Sequence, residues 1–220
     1  MVMMEALRWT LGAATDLAFV PALLEVYKRR RHFELFIGSL QLVSSFLFNS
    51  SQALGEKLFI GELDWHFISD VLSLTYVCCL LIHCMGIEDE VKNMILRYVA
   101  FSLAWIFKLR DAWDSALWEA ALVIIYVCLA VYSVAQQSSR ISAQYGMQSL
   151  RYGAGCLVGA CLLLGVELAG FADSYGFVLA AVHLLGAATA FFLWRGVPSF
   201  DTKKNDDLLP RSGASSQQFV

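Results

Sequence analysis

The chain has 220 residues, 58% hydrophobic and 16% charged, with a net charge of −3 and a mean hydropathy of +0.60. That make-up lies far from a soluble globular domain, and an isoelectric point near 5.8 with basic residues confined to short stretches gives no footprint for nucleic acid. Hydrocarbon about 30 Å thick needs roughly 20 apolar residues per crossing helix, and such stretches fill the chain almost end to end.

Seven segments read as spans, in chain order 6–26, 33–54, 65–86, 91–107, 115–136, 152–171 and 174–194. They predict an all-α membrane protein, a seven-transmembrane-helix bundle over residues 1–198. A polar tail, SFDTKKNDDLLPRSGASSQQFV from Ser199, follows and is expected to be disordered. The first segment has Glu5 before Arg8 and no small-residue cleavage pattern, so it is expected to be a retained helix and not a signal peptide. The six cysteines all fall inside apolar runs, with neither a disulfide framework nor a zinc-ribbon spacing, and read as small buried hydrophobes.

Lys and Arg in the short loops set the orientation. With the N-terminus outside or lumenal, the inner side receives Lys28, Arg29, Arg30, Arg31, Lys92, Arg97, Arg140, Arg151, Arg195, Lys203, Lys204 and Arg211, and the outer side only Arg8, Lys57, Lys108 and Arg110. Twelve against four predicts N-out and C-in, in keeping with an odd number of spans.

Polar side chains inside spans are costly and usually face the bundle interior. In the second segment Gln41, Ser45, Asn49 and Gln52 follow each other by four, four and three residues, one helical stripe. The third repeats this with His66, Asp70 and Ser73, and Asp16, Glu119, Glu167 and His183 sit at comparable depth on other segments. These positions predict one polar cavity in the outer half, with helix-to-helix hydrogen bonding as the alternative use of the same residues. Gly155 and Gly159 in the sixth segment, and Gly186 with neighbouring alanines in the seventh, are expected to let helices approach closely within the bundle.

The order and spacing of LAFVPALLEVYKRR at 17–30, NSSQALG at 49–55, IEDE at 87–90, RDAW at 110–113 and AAVHLLGAATAF at 180–191 resemble the CREST superfamily of seven-helix membrane proteins. That superfamily includes alkaline ceramidases and adiponectin and progestin receptors, and the chain is most similar to its myomaker-like branch. The resemblance implies a zinc site built from Ser-x-x-x-His, an Asp and His-x-x-x-His, supplying a zinc-bound hydroxide for lipid amide or ester hydrolysis. Here the pattern falls on Ser45 and Asn49, Asp70, and Leu179 and His183. Asn49 and Leu179 therefore stand where the resemblance expects histidines.

Two uses remain for these residues. One is a non-catalytic bundle with no cofactor, acting in membrane organisation or lipid binding, in which Gln41, Asn49, Ser73 and Glu167 line a polar cavity. The other is a zinc-dependent lipid hydrolase in which His66, Asp70 and His183 hold the metal and Ser45 assists the reaction beside Asp70. A lipid-sensing receptor-like bundle is a third. The expected partners are membrane lipids and, for any of the three, a second copy of the chain.

Overall fold

The computed structural model describes residues 2–110, 117–168 and 177–199. Among these it is all-helical, with α1 Val2–Leu17, α2 Val20–Lys28, α3 His32–Leu54, α4 Glu62–Cys84, α5 Glu90–Arg110, α6 Leu117–Gln136, α7 Ser138–Gln144, α8 Met147–Leu168 and α9 Phe177–Gly196. Among the described residues, three stretches of helix are long and apolar enough to cross a membrane: Trp9–Lys28, Glu62–Cys84 and Trp118–Gln136. The expected tail lies outside the described residues from position 200 onward.

Within the described residues each predicted segment falls mainly on helix, and the differences lie at the joints. The first is not one rod. α1 ends at Leu17 and α2 restarts at Val20 with Pro21 in its first turn, where a missing N–H costs nothing but a continuous helix could not pass undisturbed. The short α7, absent from the sequence reading, is a polar seven-residue helix between α6 and α8.

Good ends delimit the long helices. Gly55 closes α3 in the left-handed region at φ 65°, its N–H bonding the Ser51 carbonyl, the arrangement that glycine adopts without Cβ strain. The Asp64 carboxylate accepts from the Gly61 backbone N–H at 3.1 Å at the start of α4. At α5, Asp89 accepts from the N–H groups of Val91 and Lys92 at 3.0 and 3.2 Å. Those bonds, the one from Lys92 first, hold its carboxyl below the ordinary carboxylate range. The cap is therefore fully present above the ordinary carboxyl pKa and fades as pH falls through the depressed one.

α4 is the hub of the fold. One of its faces, Phe67, Val71, Leu74, Cys78 and Ile82, packs with Ala100 and Ala104 of α5 and Leu122, Tyr126 and Ala130 of α6. Its opposite face, Leu72, Tyr76 and Leu80, packs with Ala22, Leu23 and Val26 of α2, Ile37 of α3, and Ala190 and Trp194 of α9. A helix buried on both faces has no amphipathic stripe, which is why α4 reads as apolar throughout. The other helices present large apolar side chains outward: Phe36, Leu40, Val43 and Phe46 on α3, and Ile124, Ile125, Leu129 and Tyr132 on α6.

Close approach uses glycines other than those the spacing suggested. A Cβ on Gly155 or Gly186 would meet open space, whereas one on Gly153 would lie 2.7 Å from Leu193 and one on Gly38 would lie 2.6 Å from Leu23 and 2.7 Å from Tyr76. The GxxxG pair thus points partly away from the α8–α9 contact, and Gly153 is the residue that seats α9. Cys128 and Cys161 are also exposed, not buried, while Cys78 and Cys79 are core residues; all six thiols are free. Gly153→Ala should therefore destabilise the detergent-solubilised protein by about 1–3 kcal/mol, read as a lower thermal midpoint, with Gly155→Ala within experimental error of the parent. Equal effects of the two substitutions would contradict this helix contact.

Candidate functional site

The polar residues assemble into three networks, two at one end of the bundle and one at the other. The first joins α1 to α3. Ser45 Oγ and Asn49 Nδ2 each donate to the Asp16 carboxylate, one to each oxygen, both at 2.8 Å. Asp16 comes from the last turn of α1 and faces the stripe that α3 presents at four-residue spacing. His183, on α9, lies within electrostatic range of the same carboxylate. At the next residue of α3, Trp9 Nε1 donates to Ser50 Oγ at 3.4 Å.

A second network joins α4, α5 and α6. Lys108 Nζ bridges Asp70 Oδ2 and Glu119 Oε1, 2.7 Å from each. His66 Nδ1 lies 3.4 Å from Asp70 Oδ2 along α4, and its ring packs against Phe48 with centroids 4.8 Å apart. The Lys108 side chain is only 9% exposed, so its two carboxylates do for it what water cannot.

The third network closes the opposite end. The Glu34 carboxylate has no exposed surface; its Oε1 takes His83 Nε2 at 2.7 Å and Arg97 Nη1 at 2.8 Å. Arg97 also reaches Glu90 at 3.1 Å, and Arg31 is buried beside the group, where desolvation pushes its guanidinium below the usual range and Glu34 opposes that shift. Tyr145 Oη donates to the His83 carbonyl at 2.9 Å. Nearby, Arg29 donates to the carbonyls of Arg195, at 2.7 Å, and Val197, fixing the end of α9 to α2.

These contacts locate each residue singled out by sequence. Ser45 and Asn49 share one partner, Asp16. Asp70 and His66 are neighbours, but Asp70 is held by Lys108, and His183 lies within electrostatic range of Asp16. The expected set of His66, Asp70 and His183 is therefore not assembled, and among the described residues no three His, Cys, Asp or Glu side chains form a group able to hold a metal ion. The donor chemistry agrees. Asn49 offers an amide hydrogen already directed at a carboxylate, Leu179 has no donor atom, and the Lys108 ammonium repels any cation that would approach Asp70. The residues present do not fit the zinc that the superfamily resemblance implies. Gln41 and Ser73 are half-buried and take no part in the three networks described above; the Glu167 side chain lies outside the described residues.

The sequence does not reveal Asp16 as the acceptor, Lys108 as a buried cation or Arg97 as the partner of a buried carboxylate, and Glu34 stands out in it nowhere. Lys108 was counted among loop charges because it stands at a segment end. The signal that could have found Glu34 is that a carboxylate just inside a basic loop and a histidine, His83, at the end of the next segment share one depth.

The chain belongs to the family described as protein of unknown function (DUF3522), which matches residues 5–184. The match takes in Asp16, the α3 stripe, the Lys108 network and His183. No curated protein matches the chain.

Removal of the Lys108 charge offers a direct test of the second network. Lys108→Met leaves Asp70 and Glu119 facing each other and should lower stability by about 1–3 kcal/mol, less than for a fully buried pair because both carboxylates are partly exposed. Adding Asp70→Asn and Glu119→Gln should recover much of that loss in thermal unfolding. A neutral Lys108→Met would contradict the bridge.

Proposed function

We propose that this chain is a seven-span membrane protein, N-terminus outside and C-terminus cytosolic, that binds or organises lipid and performs no zinc-dependent hydrolysis. The architecture is of the CREST type, nearest the myomaker-like branch. The observation that carries this reading is that the Asp16 carboxylate engages both Ser45 and Asn49. In the superfamily pattern these two positions would supply an assisting hydroxyl and a metal ligand. Here they are hydrogen-bond donors to a carboxylate, an arrangement that joins two helices and leaves neither group free for chemistry.

The seven-span topology has separate support. The third network brings together the starts of α3 and α5 and the ends of α4 and α9, and the first brings together the end of α1 and the second half of α3. α3 and α5 thus run opposite to α4 and α9, as hairpins crossing a bilayer must. The outward apolar faces of α3 and α6 would be a liability in water and are what lipid covers. Lipid is the partner these surfaces favour, and the inward polar groups are the stabilising interior.

The test is metal content and turnover in one preparation. The protein in nanodiscs should carry no stoichiometric zinc, retain co-purified lipid at a fixed ratio by mass spectrometry, and leave ceramide and phospholipid intact, with Ser45→Ala changing none of these. About one zinc per chain that is lost in His183→Ala, or lipid hydrolysis abolished by Ser45→Ala, would overturn the reading in favour of the hydrolase.

A further inference from the structure

The turn between α3 and α4 holds a conformation that most bulky residues avoid. Phe59 has φ 71°, and the N–H of Ile60 bonds the carbonyl of Leu58 at 2.9 Å across it. An i to i+2 bond around a positive φ is a γ-turn of the rare, strained kind, and Phe has no glycine-like freedom there. Strain of this sort persists only where neighbouring contacts hold it. Here Trp65 Nε1 donates to the Leu58 carbonyl at 2.8 Å and Ser51 Oγ donates to the Glu56 carbonyl at 2.7 Å, so both flanks of the turn are clamped to helices.

The result of that clamping is an aromatic ring turned outward. Phe59 is 97% exposed, more than any other large hydrophobic side chain among the described residues. Burial therefore gives no account of the strain. Leu54, 63% exposed at the end of α3, and Leu63, 65% exposed at the start of α4, flank it in the chain. Glu56, Lys57, Glu62 and Asp64 are exposed around them, a polar setting with apolar points.

We propose that the Phe59 turn is an interfacial anchor, with the phenyl ring inserted at the boundary between head groups and acyl chains of the membrane that α4 crosses. The inference rests on α4 being a span. Only Ile60 and Gly61 separate Phe59 from Glu62, so its Cα lies within about 11 Å of the first residue of α4. That reach keeps the ring near the head-group zone of its own leaflet, the depth where amphipathic and aromatic side chains anchor helices. Lipid is favoured over a protein partner because the turn follows directly on α3, the helix that exposes Phe36, Leu40, Val43, Phe46 and, at its end, Leu54. Zwitterionic lipid is the fitting surface, since the three acidic residues around the turn outnumber Lys57 and repel anionic head groups. Fixing the backbone in advance means that the ring enters lipid without ordering a flexible loop.

The experiment places a nitroxide, through p-acetylphenylalanine so that the native cysteines are left alone, at residue 59, at Lys57 and at Val77 in separate samples. Val77 is an outward-facing residue in the middle of α4. The samples are examined in phosphatidylcholine nanodiscs by electron paramagnetic resonance, with oxygen as the lipid-soluble relaxer and a nickel chelate as the aqueous one. The expected result is stronger relaxation by oxygen than by nickel at 59 and 77, and the reverse at 57. Nickel-dominated relaxation at 59 with oxygen-dominated relaxation at 77 overturns the anchor and leaves the span standing. Nickel-dominated relaxation at both overturns both. Protection of 59 from both reagents, with oxygen access kept at 77, means that protein covers the ring and also overturns the anchor.

Discussion

A carboxylate with no exposed surface must find its compensating charge within the protein, and Glu34 sets that requirement at one end of this bundle. Leaving a single buried ion unpaired costs several kcal/mol, and lipid around the helices offers no hydrogen bond in exchange. Arg97 from α5 supplies the charge and His83 from α4 a hydrogen bond, both on the same oxygen, while Tyr145 and Trp194 close over His83. Four helices, α3, α4, α5 and α9, and the joint between α7 and α8 are thereby registered against one another at one depth. At the opposite end Asp16 and Asp70 impose smaller versions of the same condition: Asp16 is met by Ser45 and Asn49 of α3, and Asp70 by Lys108 of α5, which Glu119 of α6 shares.

Pairing of this kind explains why the helix contacts themselves can be made of small or ordinary residues. Within lipid, apolar side chains gain little by moving from acyl chains to a neighbouring helix, so packing shape and internal hydrogen bonds decide association. Ala100 and Ala104 let α5 lie against α4, and Gly153 lets α8 lie against α9. The polar networks then choose which faces meet. Apolar residues remain on the outside, which makes the protein a bundle with polar ties inside and a lipid-compatible exterior.

Much of the helical framework was legible because apolar runs of the right length have few other uses. The stripe of Gln41, Ser45 and Asn49 was legible too, since spacing of four is a property of one helix. What that stripe faces was not. Spacing within α3 says nothing of what α1 presents, and Asp16 stands alone in its segment without periodic support. The joint resemblance to a zinc-binding superfamily drew His66, Asp70 and His183 toward one point, whereas the contacts divide them between two networks. Gly155 with Gly159 reads as a packing face, yet a Cβ on Gly155 would meet open space, because a motif records residue types and not the azimuth at which a helix is finally set. Phe59 left no mark in the sequence at all: a γ-turn arises from clamps supplied by Ser51 and Trp65, several residues away on either side.

The account depends most on Asp16 being the internal partner of the α3 stripe. A double-mutant cycle with Asp16→Ala and Asn49→Ala, followed by thermal unfolding in one detergent, measures that interaction directly. The predicted coupling is about 0.6–2 kcal/mol, as for interhelical hydrogen bonds in membrane proteins. Strict additivity of the two substitutions would contradict the Asp16 network and, with it, the reading of this site as structural.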